Sequence, residues 1–209
     1  MMVRTIAIAS GLAVVILIGG IVWITSGPSA DKQFAQCRAG QIAGGEAAIG
    51  GPFELVDQTG ATVTDADVID QPTLIYFGYT FCPDVCSIDV ARNAVTVDIL
   101  EEDYGSIVKP VFISIDPNRD TPEIMADYTE IMHPRMLGLT GSEDQVKQAS
   151  QAYRTFYKSH DQGDDEYYLV DHSTLSYLVF PEKGFAEFFR RDEAPEAMAE
   201  RIQCFIDAV

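Results

Sequence analysis

The sequence of 209 residues predicts a layered domain of the α/β or α+β class. After residue 52, short apolar runs that suit buried strands alternate with longer segments that suit helices. Near the end of the chain, two apolar runs flank Pro181-Glu182-Lys183-Gly184, which predicts a terminal hairpin, and a last helix follows. The sequence shows no internal repeat, and its length suits one ordinary domain with attachments.

The predicted domain begins with a hairpin, in which Asp57-Gln58-Thr59-Gly60 separates strands 53–56 and 61–64. Two helix starts carry capping signals. Thr121-Pro122 places a threonine N-cap before a first-turn proline, and Ser142-x-x-Gln145 is a capping box. The other predicted elements are strand 73–79, helix 84–103, strand 107–115, helix 122–133, strand 137–139, helix 143–153, strand 154–158, strands 174–180 and 185–190, and helix 195–208.

Residues 1–25 predict one transmembrane anchor. From Ile6 to Ile24 the segment has no charged side chain, and as a helix it nearly spans a hydrocarbon core of roughly 30 Å. A cleaved signal peptide is the alternative, because Pro28-Ser29-Ala30 resembles a small-residue cleavage site. We expect an uncleaved anchor, since the apolar segment is long for a signal peptide and the proline fits that cleavage site poorly.

Residues 26–51 are rich in glycine, alanine and serine and have little periodicity, which predicts a flexible tether. The folded domain is predicted over residues 52–209. The chain has a formal net charge of −18, which argues against binding to nucleic acid and against electrostatic docking on anionic lipid. We interpret the acidic surface as a solubilising one.

The candidate chemistry centres on Cys82 and Cys86, which lie where a predicted buried strand gives way to a predicted helix. Unpaired N–H groups and the helix dipole favour negative charge at a helix N-terminus, so a cysteine there is more easily a thiolate. If Cys86 lies in the first helical turn, its side chain can converge with that of Cys82. The spacing therefore predicts a two-thiol site.

His172 is the third candidate, because it lies where a polar loop gives way to an apolar strand. Two thiolates and one imidazole are too few for a closed structural zinc site, which normally has four ligands. Soft thiolates select Cu(I), and an added imidazole also suits Cu(II). Asp171, beside His172, could support the histidine through a hydrogen bond, although a surface aspartate is the simpler interpretation.

Two alternatives remain for the dithiol. It could cycle between thiols and a disulfide as a redox pair, although no proline lies beside His172 as the cis-proline loop of thioredoxins would require. A structural Cys82–Cys86 disulfide would close an unusually short loop, and we expect it least.

The remaining candidates have structural interpretations. Cys37 and Cys204 could form a disulfide that holds the tether to the domain, or Cys204 could be a free buried thiol. His133 lies at a helix end and His160 lies in an acidic loop without an evident partner. Core packing explains Met125, Met132 and Met136, and turn chemistry explains Asp116 and Asp120.

The sequence resembles the Sco/SenC copper-assembly family. Four stretches carry the resemblance: Gly78-Tyr79-Thr80-Phe81-Cys82-Pro83-Asp84-Val85-Cys86, Ile115-Asp116-Pro117-Asn118-Arg119-Asp120-Thr121-Pro122, Leu139-Thr140-Gly141, and Asp171-His172-Ser173 leading into Tyr177-Leu178. One position departs from the family pattern, since Ser87 stands where many members have proline. Because serine can cap a helix, this departure predicts that the helix start shifts by a residue.

The resemblance implies a thioredoxin-like fold with an N-terminal hairpin and additional insertions, held outside the cytoplasmic membrane by one helix. It implies one copper ion, Cu(I) or Cu(II), bound by Cys82, Cys86 and His172. It also implies delivery of copper to the CuA-bearing subunit of cytochrome c oxidase, or reduction of the cysteines of that centre. Other periplasmic copper chaperones and thiol oxidoreductases are further candidate partners.

From these expectations we predict a non-enzymatic metallochaperone in the periplasm, or in an equivalent oxidising compartment. The alternative is a periplasmic thiol-disulfide oxidoreductase, either a reductase of target cysteines or a thiol peroxidase, in which Cys82 and Cys86 are the redox dithiol.

Overall fold

The computed structural model describes residues 33–39, 49–161, 163 and 167–209. The predicted anchor and most of the predicted tether lie outside these residues. The chain divides into two compact units, Met1–Gln36 and Cys37–Val209. All of the strands and helices named below belong to the second unit.

A seven-stranded mixed sheet forms the centre of the domain, with the strand order β2-β1-β5-β4-β3-β8-β9. Strands β3, β4 and β5 run parallel, whereas the two edge pairs, β1–β2 and β8–β9, are antiparallel hairpins. The bounds are β1 Glu54–Asp57, β2 Thr62–Thr64, β3 Thr73–Gly78, β4 Lys109–Ser114, β5 Leu137–Thr140, β8 Ser176–Phe180 and β9 Gly184–Phe189.

Two short strands, β6 (Tyr157–Ser159) and β7 (Val170–His172), form a separate antiparallel hairpin. The helices are α1 Asp65–Val68, α2 Val85–Tyr104, α3 Pro122–Met132, α4 Glu143–Ala152 and α5 Pro195–Asp207. Helix α2 packs against β3, β4 and α5, while α3 packs against β5 and α4 against β1. The sheet is therefore covered by helices, as the alternating sequence pattern predicts.

Strand β3 is buried along its whole length and pairs with β4 on one side and β8 on the other. A central strand covered on both faces requires a continuous apolar sequence rather than an alternating one, and Leu74–Phe77 supplies it. Because β3 is fixed on all sides, the loop that follows Gly78 leaves the sheet from a rigid position. This loop carries the two candidate cysteines.

Most of the predicted elements are present within one or two residues of their predicted bounds, but three differ. The strand predicted over 154–158 begins only at Tyr157, because Arg154 takes a left-handed φ of 51° just after α4. Strand β7 and helix α1 were not predicted. Helix α1 begins beside Thr64, whose N–H and hydroxyl both donate to Asp67 Oδ2, at 2.9 and 2.6 Å.

The proposed disulfide is present, since Cys37 and Cys204 are bonded with their Cα atoms 5.7 Å apart. Two hydrogen bonds hold the neighbouring backbone beside β9: Arg38 Nε donates to Ala186 O at 3.1 Å, and Ala39 N donates to Glu187 Oε2 at 3.1 Å. The hypothesis of a free Cys204 is therefore wrong. Within the predicted tether, Cys37 is therefore bonded covalently to α5, and Arg38 and Ala39 are hydrogen-bonded to β9.

No helix within the described residues is both long enough and apolar enough to cross a membrane. The predicted anchor at residues 1–25 is outside that search.

Candidate metal centre

Cys82 and Cys86 lie at the junction of β3 and α2, as the sequence predicts. Helix α2 begins at Val85 with Asp84 as N-cap, so Cys86 is the second residue of the helix. The N–H of Cys86 donates to Cys82 Sγ at 3.3 Å, and the N–H of Cys82 donates to Tyr79 O at 3.2 Å. Both cysteines are free thiols, so the structural disulfide between them is absent.

Ser87 does not begin the helix. The helix starts at Val85, two residues earlier, and Ser87 lies within its first turn. Asp84 holds the N-cap position, so Ser87 does not cap this helix. The departure from proline at this position leaves both thiols at the helix N-terminus.

His172 is the last residue of β7, and its Nε2 lies 3.2 Å from Cys86 Sγ. One ligand atom from each of Cys82, Cys86 and His172 lies within 4.8 Å of the other two. In the part of the chain that the structure describes, these residues form the one group of three or more cysteine, histidine or acidic side chains able to hold a metal ion. The sequence predicts the same three residues.

The imidazole of His172 is held in one orientation. Its Nδ1 lies 2.8 Å from the carbonyl oxygen of Ser173, and a carbonyl can only accept a hydrogen bond. Nδ1 therefore carries a hydrogen, and in the neutral ring the lone pair belongs to Nε2, which faces the thiols. A backbone carbonyl that fixes the tautomer in this way is typical of histidines that bind metals.

The two thiols differ electrostatically. The hydrogen bond from Cys86 is the largest influence that lowers the pKa of Cys82, and it outweighs the opposing effect of burial, with further help from His172 and backbone N–H groups. The same hydrogen bond, together with burial, raises the pKa of Cys86. Of the two thiols, Cys82 is therefore the one that loses its proton more readily. Cys86 is fully buried, whereas Cys82 is 9% exposed.

Aromatic rings close the site on the side of the sheet. The rings of Tyr76 and Tyr79 meet the His172 ring edge to face, with centroids 6.2 and 5.9 Å away. Gly78 permits this packing, since a Cβ there would lie 2.9 Å from ring atoms of Tyr76 and Phe112 and 3.2 Å from Cys86 Sγ. The Cys86 thiol therefore lies directly against the end of β3.

Asp120 supports the cysteine loop, a role that the sequence analysis missed. Its fully buried carboxylate accepts from Thr80 N at 3.1 Å, from Thr80 Oγ1 at 2.6 Å and from Ser114 Oγ at 2.5 Å. Burial raises the pKa of Asp120, although these hydrogen bonds oppose the shift. The turn interpretation is correct, because the N–H of Asp120 donates to Asp116 O at 3.0 Å. It is incomplete, because the carboxylate also holds Thr80.

The other candidates lie apart from the thiols. Asp171 faces away from His172 and pairs with His160, whose Nε2 lies 2.8 Å from Asp171 Oδ2. The expectation that His160 has no partner is therefore wrong. His133 is buried beside Asp98, with Nε2 3.3 Å from Oδ1, which supports its structural role. Met125 and Met136 are buried in the core, and Met132 packs against it.

The fold and site define a thioredoxin-like protein whose dithiol lies at a helix N-terminus beside an oriented imidazole. The chain belongs to the SCO1/SenC family, whose model matches residues 42–207.

Protein SenC of Rhodobacter capsulatus is 48% identical over 206 residues, which is 99% of this chain and 92% of that protein. The mitochondrial SCO2 homologue of Homo sapiens is 41% identical over 76% of this chain, which spans only 60% of that relative. The crystal structure of Arabidopsis thaliana ScoI with copper bound has a TM-score of 0.72 and 37% identity. That similarity covers 78% of this chain and all of the solved one.

Proposed function

We propose that this chain is a copper metallochaperone that holds one copper ion between Cys82 Sγ, Cys86 Sγ and His172 Nε2. The single observation that carries the proposal is the convergence of these three atoms within 4.8 Å. Two sulfurs provide the soft ligands that Cu(I) prefers, and the oriented imidazole adds a ligand that suits Cu(II). Membership of the SCO1/SenC family and the copper-bound relative support the same metal.

The proposed recipient is the CuA centre of cytochrome c oxidase, in keeping with the copper-assembly role that the family resemblance implies. Three ligands hold copper firmly yet leave room for a partner that offers more ligands, so the ion can pass by ligand exchange. Oxidation of Cys82 and Cys86 to a disulfide would remove both sulfur ligands. Copper loading is thereby coupled to the redox state of the site.

We also propose that residues 1–25 anchor the protein in the cytoplasmic membrane as a single span, with the domain at 52–209 on the periplasmic side. The apolar segment and the disulfide between Cys37 and Cys204 support this arrangement, because disulfides persist in oxidising compartments. Retention of the protein in alkali-washed membranes, together with protease sensitivity of the domain in spheroplasts, is the expected result. If the domain is instead protected from protease in spheroplasts, it lies on the cytoplasmic side and the proposed orientation is wrong.

The copper proposal is tested by titration of the reduced, full-length protein in detergent, without oxygen for Cu(I), and with Cu(II) in parallel. We expect one copper per chain and a thiolate-to-copper absorption band with Cu(II). Cys82→Ser and Cys86→Ser should each abolish stoichiometric binding. His172→Ala should weaken Cu(II) more than Cu(I), because the dithiol alone can hold the softer ion. If His172→Ala binds Cu(II) with the affinity of the wild type, His172 is not the third ligand.

A second candidate function is thiol-disulfide exchange, and the unequal exposure of the two cysteines favours it. Cys82 is the more exposed and more acidic thiol, so it would attack a target disulfide, and the buried Cys86 would then displace the reduced target. In that reaction Cys82 and Cys86 are oxidised to a disulfide while the target disulfide is reduced to two thiols. The oriented His172 is not required for this chemistry.

A comparison of the wild type with His172→Ala distinguishes the two functions. Rapid reduction of a model disulfide by the wild type, unchanged in His172→Ala and accompanied by no retained copper, would assign the oxidoreductase function. Retained copper that depends on His172 would assign the chaperone.

A further inference from the structure

Arg119, in the loop between β4 and α3, contacts aromatic rings from two other loops. Its guanidinium carbon lies 3.6 Å from the centroid of the Tyr168 ring, 4.9 Å from that of Phe81 and 5.6 Å from that of Tyr79. Tyr79 and Phe81 belong to the loop between β3 and α2, and Tyr168 precedes β7. One cation thus joins three separate segments of the chain.

Asp116 completes this arrangement, which we call the Arg119 cluster (Arg119, Asp116, Tyr168, Phe81 and Tyr79). One oxygen of Asp116 lies 2.5 Å from Arg119 Nε, and the other accepts from the hydroxyl of Tyr168 at 2.5 Å. The Arg119 side chain is 12% exposed and that of Asp116 is 4% exposed. The charges are therefore paired and largely excluded from water, where stacking and ion pairing are stronger than on an open surface.

Each ring of the cluster belongs to a segment that holds a ligand. Phe81 precedes Cys82, and the carbonyl of Tyr79 accepts from the N–H of Cys82. Tyr168 lies four residues before His172, and the N–H of Val170 between them donates to the hydroxyl of Tyr79 at 3.3 Å. The cluster therefore connects the segment that carries the thiols with the hairpin that carries the imidazole.

The hairpin of β6 and β7 needs contacts that hold it against the rest of the domain. Strands β6 and β7 have three residues each and form their own sheet, with no ladder to the seven-stranded sheet. An isolated two-stranded hairpin is marginally stable at best in water. Side-chain contacts beneath the hairpin, among them the Tyr168–Arg119 stack, therefore help to hold His172 over the dithiol.

We propose that Arg119 is a positioning residue, which holds the His172 hairpin against the cysteine loop and so brings the imidazole to the thiols. The inference rests on the proposed function, because it deepens the account of the same site. Arginine suits this role better than lysine, since its planar guanidinium stacks on a ring while it pairs with a carboxylate.

The first test is independent of copper and uses hydrogen–deuterium exchange of the full-length, metal-free protein in detergent. Arg119→Ala should accelerate exchange at residues 167–172 by about tenfold, the loss expected from a buried cation–π contact. Arg119→Lys should give an intermediate increase. The matched control is Arg135→Ala, since Arg135 is also a part-buried arginine, paired with Glu101 and donating to Val108 O, but remote from the hairpin. Wild-type exchange in Arg119→Ala, or equal acceleration in Arg135→Ala, would overturn the proposal.

The second test uses Cu(II) and Cu(I) in the same proteins. Arg119→Ala should weaken Cu(II) by about tenfold and shift the thiolate-to-copper band, whereas Cu(I) affinity, which needs only the two sulfurs, should change less. Tyr168→Leu, which removes the stacked ring, should match Arg119→Ala. Tyr168→Phe keeps the ring but loses the hydrogen bond to Asp116, so it should lie between the wild type and Tyr168→Leu. A general loss of stability would weaken Cu(I) and Cu(II) binding alike, so it would not produce this difference between the two ions.

The outcomes also distinguish a failure of the proposed copper function from a failure of the positioning role of Arg119. If the wild type binds no copper, the proposed function fails, and the exchange measurement still decides the role of Arg119. If the wild type binds copper and the Arg119 variants bind Cu(II) with unchanged spectrum and affinity, the positioning role is wrong and the metal site stands.

Discussion

Gly78, the last residue of β3, lies where any side chain would press on the dithiol. Gly78→Ala would place a Cβ 3.2 Å from Cys86 Sγ and 2.9 Å from two aromatic rings. Overpacking of this kind typically costs about 1–3 kcal/mol of stability. We expect that loss in urea unfolding, together with altered copper affinity, because the sulfur is among the atoms that must move.

Gly138→Ala is the matched control for this prediction. Its Cβ would lie 2.9 Å from Thr129 Cγ2 and 3.2 Å from Met125 Cε, so it is equally crowded but lies in β5, away from the thiols. It should reduce stability by a similar amount while copper affinity stays at the wild-type value. Equal copper affinities in the two variants would contradict the predicted link between Gly78 and the site.

The three residues of the candidate metal centre could be predicted from the sequence, but the residues that support them could not. Cys82 and Cys86 are neighbours along the chain, so a strand-to-helix junction is enough to bring them together. The contacts from Asp120 to Thr80 and from Arg119 to Tyr168 join segments that are 40 or more residues apart. Local patterns assign these residues to a turn, because the turn is the only part of their environment that the nearby sequence encodes.

At the scale of the elements, the length of an element and the turn signals that flank it together determine how well the sequence predicts it. Helices α2, α3, α4 and α5 and the central strands have long patterns or capping residues, and they lie close to their predicted bounds. Strand β7 has only three residues, Val170–His172, and α1 has four. Elements this short carry too few residues to show a period, and tertiary contacts rather than local preference fix them.

The hydrogen bonds to Asp57, in the turn between β1 and β2, should make the stability of the protein depend on pH. Burial would raise the pKa of Asp57, but hydrogen bonds from Thr59 and the N–H of Ala61 outweigh it and lower the pKa. A lowered folded-state pKa adds stability that is present above the unfolded value and is lost as pH falls through the folded value. The hairpin contribution should therefore disappear at acid pH, below about 4.

Asp57→Asn isolates this effect from the other carboxylates. We expect the variant to be less stable than the wild type at pH 7 in urea unfolding, and the difference should shrink toward zero as both proteins are taken to acid pH. A difference that stays constant across that range would show that Asp57 acts through packing instead of charge.

At the scale of the whole molecule, the Cys37–Cys204 disulfide joins two positions 167 residues apart. Constraints on so long a loop usually stabilise a protein by about 2–5 kcal/mol. Cys37→Ser/Cys204→Ser should lose stability of that order in urea, yet should bind copper as the wild type does, because the bond lies on α5 and not at the thiols. A simultaneous loss of copper binding would indicate that the disulfide also shapes the site.

The disulfide has a second consequence, which concerns how far the domain can extend from the proposed membrane anchor. A free tether over residues 26–51 could extend for about 90 Å if fully stretched. With Cys37 bonded to Cys204, at most residues 26–36 remain between the proposed anchor and the domain, an upper limit of about 38 Å. If residues 1–25 anchor the protein as proposed, the oxidised form would reach only recipients that present their site close to the bilayer. Reduction of this one bond would more than double the radius that the domain can explore.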